Sequence, residues 1–272
     1  MKKRAFIPSV FFLMLVFACS TNPFTGKTQF NTVTNDQIFP VAFQQYDAFL
    51  KENKVISGTS EARMVTTVGE KIRMAAKKYL DANGQQGYLN GYEWEYKLVQ
   101  DPALNAWCMP GGKIVVYSGI LPVAKNEAGL ATVMGHEVVH ALLNHGAQRM
   151  TASQAQQVGA VLLGAATANE SQAAQELYMQ AYGIGSQVGG MLPFSRSHES
   201  EADKYGLILM AIAGYNPDEA LSFWQRMSAQ SGGGAPPELL STHPSDATRM
   251  ANLKRLIPEA KAEAAKFGVT FK

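Results

Sequence analysis

The run GHEVVHALLNHG, residues 135–146, gathers three of the chain's five histidines into one short, largely apolar stretch. On a continuous helix, residues four apart share a face, so His136 and His140 can aim two imidazoles at one ion. Glu137 lies beside them, placed to reach a water at that ion without ligating it. Leu130, Met134, Val138, Ala141 and Leu142 supply packing for a buried helix, and Gly135 admits a close neighbour. His145 is nine residues from His136, which at about 100° per residue turns it to the opposite side. Taking a third histidine from the same segment needs a glycine break, as in HExxHxxGxxH. Here ALLN offers none, and Gly146 comes only after His145. His145 is therefore expected at a helix end or facing solvent, where the helix dipole favours it.

The third ligand has to come from elsewhere. Cys108, His243 and the acidic run FSRSHESEADKYG (194–206) are the candidates. A thiolate sits poorly in a hydrolytic site built on two histidines. The acidic run reads as the opening of a helix. Glu199 and Asp203 are four apart, so one carboxylate can bind metal while the other orients a ligand histidine. Glu201 lies about 200° round from Glu199 and cannot share that role. The alternative is an acidic cluster that merely complements a helix N-terminus.

At 272 residues, 46% hydrophobic and 17% charged, the chain can bury a real core and is not of disordered composition. Lys2, Lys3 and Arg4 precede an apolar run, Val10 to Ala18, that stops at Cys19. That run is too short to span a bilayer as a helix, and the pattern reads as a lipoprotein signal over 1–18 with lipid attached at Cys19. Those residues carry three basic groups and no acid, so without them the formal charge of +2 becomes −1. No basic patch remains to argue for a nucleic-acid partner.

Residues 19–33 read as a polar tether, and 34–272 as a single domain. Helical periodicity marks Asp36 to Lys51, interrupted near Pro40, and Ser60 to Leu80. Strand-like runs follow at Glu93–Gln100 and Lys113–Tyr117, joined by NAWCMPGG, and from Asn126 the chain is almost wholly helical. This is an α+β chain, mainly α, with a small sheet whose edge can pair with an extended peptide. The small-residue stretch Thr151–Gly190 suits close helix packing in the core, or a helical hairpin lying over a cleft.

GHEVVH, SRSHESEAD and STHPSDATR occur in that order, with NAWCMPGGKIVVYSGIL and the post-cysteine TNPFTGKTQFN beside them. Together they resemble the gluzincin peptidases that include HtpX and the CAAX prenyl protease, and within them the soluble envelope lipoprotein branch of BepA-like and LoiP-like proteins. The likeness runs from Cys19 to about Leu256. It implies a zincin-like fold, one Zn²⁺ per chain, and His136, His140 and Glu199 as its ligands. Glu137 is then the general base, with Asp203 and Arg196 standing behind the ligands. His243 and Arg196 are available as oxyanion donors, and the resemblance favours the region of His243. His243 can instead block the metal in a resting enzyme, the role preferred here because a broadly specific protease needs restraint. The resemblance also implies misfolded or misassembled envelope proteins as substrates. Ser20 after the acylated cysteine points to an outer-membrane anchor facing the periplasm. A non-catalytic zinc-stabilised assembly factor is the rival reading; it would keep the ligands but have no use for Glu137.

Overall fold

The computed structural model describes residues 19–30, 32–230, 237–243 and 247–271. The expected leader over 1–18, the Cys19 side chain and most of the SGGGAPP loop lie outside that description. The chain divides into two compact units. One joins the described residues up to Thr34 with Asn144–His198; the other joins Asn35–Leu143 with the chain from Glu199 onward.

In the larger unit, α1 (Asn35–Glu52) buries Phe39, Ala42 and Tyr46 and runs straight through Pro40 rather than breaking there. Pro40 removes one backbone hydrogen bond, and the packing of that buried face carries the helix past it. Strand β3 (Val55–Ile56) leads to α2 (Ser60–Ala82), which opens on a Thr59 side chain accepting from the Ala62 amide. Strands β4 (Glu95–Val99), β5 (Ala106–Met109) and β6 (Lys113–Tyr117) complete a sheet of order β3-β4-β6-β5. β4 pairs parallel with β6, and β5 pairs antiparallel with it, Ala106 opposite Val116. Ile114, Val115 and Val116 are all buried, as a strand covered on both faces requires. The joiner between the two expected strands thus supplies a third, β5, and that strand forms the sheet's edge.

Beyond the short α3 (Leu121–Ala124), α4 (Glu127–Leu142) is the centre of the unit. Its N-terminus is capped by Asn126 Oδ1, which accepts from the Gly129 amide at 2.9 Å. Every residue from Gly129 to Leu142 is buried, because α2, β5 and α8 (Glu219–Ala229) all pack on this one helix. A fourth neighbour is α7 (Leu192–Ile212). A Cβ on Gly135 would lie 3.0 Å from the Gly206 carbonyl oxygen, and one on Gly206 would lie 3.1 Å from the His136 nitrogen. The two helices therefore cross backbone to backbone. The short α9 (Glu238–Thr242) and the long α10 (Ala247–Ala265) close the unit.

In the smaller unit, part of the expected tether is a hairpin, β1 (Cys19–Thr21) against β2 (Thr28–Phe30), with Asn22 Oδ1 holding the turn through the Phe24 and Thr25 amides. The Thr32 amide donates to Thr151 Oγ1 at 3.1 Å, tying this end to α5 (His145–Ala166). Helix α6 (Gln172–Ser186) packs back on α5. The Tyr182 hydroxyl donates to the Gln156 carbonyl at 2.8 Å, over Gly159, where a Cβ would collide with it. The small residues do serve helix contact, but the stretch is not core. Val158, Val161, Leu162, Leu177 and Ile184 face outward, since a pair of helices offers a single interface and cannot cover apolar residues all round. Among the described residues, no helix is long and apolar enough to cross a membrane.

Candidate metal centre

His136 and His140, one turn apart on α4, bring their Nε2 atoms within 3.1 Å of each other. Glu199 comes from the adjacent α7, where it lies well inside the helix rather than at its start. Its Oε2 is 3.3 Å from His136 Nε2, and its Oε1 is 3.4 Å from His140 Nε2. His243 caps the C-terminus of α9 and is buried. Its Nδ1 sits 3.2 Å from His136 Nε2 and 2.8 Å from Glu199 Oε2. One ligand atom from each of the four residues falls within 4.8 Å of the rest.

This donor set fits a metal ion. Zinc bonds to nitrogen and oxygen near 2.0–2.1 Å place the corners of a tetrahedron roughly 3.3 Å apart, which the separations above match. His136 Nδ1 lies 3.1 Å from Asp203 Oδ1, and a proton carried on that nitrogen leaves Nε2 a lone pair for the ion. Glu199 Oε1 is buried with no hydrogen-bond partner. Such a carboxylate oxygen is costly unless a cation compensates it.

The same crowding sets the protonation states. Burial disfavours the charged form of His136, but hydrogen bonds to Asp203 and Glu199 outweigh it and hold the imidazole at about 9. Burial pushes Glu199 up, yet the imidazoles of His136, His140 and His243 crowded against it drive it well below the usual carboxylate range. For Asp203, burial is likewise overcome, first by the Arg249 charge and then by His136.

Glu137 is buried on the same helix, with Oε1 lacking a hydrogen-bond partner and 3.4 Å from His243 Nε2. Cys108, on β5, is not in the ligand cluster. Burial raises its thiol, and so does the charge of Glu137; β5 itself packs on α4. Glu201 is outside the cluster, on the other face of α7.

One residue stands elsewhere than the sequence suggests. His145 is neither solvent-facing nor at the end of the HExxH helix. α4 ends at Leu142, Asn144 takes a left-handed φ of 55°, and His145 starts α5. There it is fully buried and stacked on His198, ring centroids 4.0 Å apart. Arg196 is exposed on α7. A guanidinium that does stand behind the ligands is that of Arg249, from α10, which donates to Asp203 Oδ1 at 2.6 Å and Oδ2 at 2.9 Å. Trp224, from α8, was likewise not foreseen; it stands edge-on to the His136 ring at 5.9 Å. The only trace of Arg249 in the sequence is its fixed distance from His243 within STHPSDATR.

Residues 69–257 match peptidase family M48. The chain is 35% identical over 176 residues to the mitochondrial metalloendopeptidase OMA1 of Schizosaccharomyces pombe, covering 64% of this chain and 50% of that one. It is 32% identical over 264 residues to the mitochondrial metalloendopeptidase OMA1 of Danio rerio, covering 94% of this chain and 53% of that one. To the beta-barrel assembly-enhancing protease of Escherichia coli it is 28% identical over 172 residues, covering 59% of this chain and 34% of that one. The chain spans about half the length, or less, of these curated relatives. With the HExxH helix, the glutamate of α7 and this match in agreement, the chain belongs to peptidase family M48.

Proposed function

We propose that this chain is a zinc-dependent endopeptidase of the bacterial cell envelope that hydrolyses misfolded or misassembled envelope proteins. One observation carries the catalytic reading: Glu137 holds a buried, unpartnered carboxylate oxygen beside a cluster that needs a cation. A purely structural metal site has no use for that group. His136, His140 and Glu199 would hold the zinc, which when bound supplies Lewis-acid activation of water and of the peptide carbonyl. Glu137 Oε1 takes the proton of the attacking water and passes it to the leaving nitrogen, so the C–N bond breaks as the acid and amine form. Asp203 keeps the His136 Nδ1–H in place and so preserves the ligand's tautomer.

The edge strand β5, which packs on α4, offers its outer backbone groups to an extended substrate. Pairing of this kind reads backbone more than side chains, which supports broad specificity. The beta-barrel assembly-enhancing protease among the relatives supports an envelope role, as do the basic, then apolar leader and Cys19. His243 serves as a restraint: its Nδ1 takes a corner of the ligand cluster while its Nε2 faces Glu137. Replacing it with alanine is expected to raise basal cleavage of a flexible peptide several-fold; a fall in rate would make it an oxyanion donor instead.

The deciding experiment measures zinc content and casein cleavage of the protein beside its Glu137→Gln variant. Zinc retained with cleavage lost supports the endopeptidase; a parent protein that binds zinc but cleaves nothing returns the chain to the assembly-factor reading, and cleavage retained in the variant takes the role of base away from Glu137. For the location, Cys19→Ser should move the protein from the membrane to the soluble exported fraction. Sedimentation with membranes after a high-salt wash would remove the lipid anchor from the proposal.

A further inference from the structure

We infer that Arg249 is a positioning residue that holds His243 on the metal cluster. The inference rests on the reading of His243 as a fourth, restraining donor. His243 is fixed through its backbone on both sides. Its amide donates to the Leu239 carbonyl at 2.8 Å, within the last turn of α9. Its own carbonyl accepts from Arg249 Nη1 at 3.0 Å. The same guanidinium grips both Asp203 oxygens, at 2.6 and 2.9 Å, and Asp203 Oδ1 in turn is 3.1 Å from His136 Nδ1. One planar group thus ties the backbone of the restraining donor to the orientation of a ligand from α4.

The guanidinium cannot swing out of this arrangement. Its carbon lies 3.7 Å from the Trp224 ring centroid, and Trp224 is fully buried. Stacking fixes its plane, and the rigid fork then sends donors in two directions at once. If the role were only to neutralise Asp203, a single charge would suffice. The bond to the His243 carbonyl is what a lone charge does not explain. A lysine retains the charge for Asp203 but has a compact ammonium in place of the fork.

The test compares Arg249→Lys, His243→Ala and the double variant, each loaded with Co²⁺ in place of zinc. Visible absorption per bound Co²⁺ reports whether His243 is on the metal, and cleavage of a flexible peptide is read in parallel. Arg249→Lys is expected to shift the spectrum toward that of His243→Ala and to raise cleavage several-fold. The double variant should add nothing to His243→Ala. Asp203→Asn, which leaves the carbonyl bond in place, is expected to weaken Co²⁺ binding while the spectrum per bound ion stays that of the parent. Thermal melting confirms that each variant is folded, and Arg249→Gln, expected to shift the spectrum the same way, replaces the lysine variant if that one is not. If His243→Ala changes spectrum and rate but no folded Arg249 variant changes either, this inference falls and the His243 reading stands. If His243→Ala changes neither, both fall.

Discussion

Helices α4 and α5 are neighbours in the chain, separated by Leu143 and Asn144, and both contain long apolar runs. Their fates are opposite. In α4 everything from Gly129 to Leu142 is buried, whereas in α5 Val161 is 71% exposed and Leu162 65%. What differs is the number of partners. α2, α7, α8 and β5 close around α4, while α5 packs on α6 along one side. Apolar sequence alone therefore does not decide burial; the supply of complementary faces does. The polar residues differ in meaning as well. His136, Glu137 and His140 are buried among apolar neighbours, where an uncompensated polar group is costly, so their presence signals chemistry. Gln156 and Ser186 merely bond each other across the smaller hairpin, at 2.7 Å.

The contrast can be broken or sharpened by mutation. The largest effect should come from Glu137→Gln, which keeps the ligands and removes the base. Peptide cleavage should fall about a thousandfold or more while zinc stays stoichiometric. Activity close to the parent's would mean that Glu137 is not the base and that its burial on α4 has another cause. Next in size, Glu199→Ala should weaken zinc binding about a hundredfold or more, and Glu201→Ala only slightly, as chelator competition would show. The reverse ranking would contradict the helix faces described above.

A smaller effect concerns pH. The metal-free protein holds His136 at about 9, above the ordinary 6.5. A raised pKa means that the stabilisation is fully present below about 6.5 and is lost as pH rises through about 9. Urea midpoints of the metal-free protein should therefore be higher at pH 6.5 than at pH 9.5. Across the same range zinc should bind more tightly as the competing proton leaves. A midpoint that rises with pH would contradict the Asp203 and Glu199 bonds to His136. The smallest effect is Val161→Gln on α5, expected to stay within about 0.5 kcal/mol of the parent, against roughly 1–3 kcal/mol for Val138→Ala on α4. Melting curves of the two, side by side, test the contrast directly; a large loss at Val161 would mean that something covers α5.

The parts of the site that sequence alone revealed are those set by local periodicity. The spacing of His136 and His140 on one helix, and of Glu199 and Asp203 on another, converts directly into shared faces. Arg249 was not legible, because its role depends on α10 meeting α7 and on stacking against Trp224 from α8. His145 was misplaced because the helix was carried past Asn144, a residue type that tolerates the left-handed conformation it adopts here. The edge strand was legible as a region, but its limits, Ala106–Met109, depended on pairing with β6. The hairpin at Cys19–Phe30 was hidden because its strands are too short for alternation to show.

The crossing at Gly135 and Gly206 acts as a gauge for the metal. Ligands from α4 and from α7 must meet one ion, and tolerance in a metal–ligand distance is about 0.2 Å. A methyl group at either glycine presses on backbone and forces a shift of a few tenths of an ångström, as large as that tolerance. The strain cannot be relieved by trimming the opposite position, since no residue is smaller than the glycine already there. Among neutral drift and compensating pairs, which let most helix contacts wander, this contact has nowhere to go.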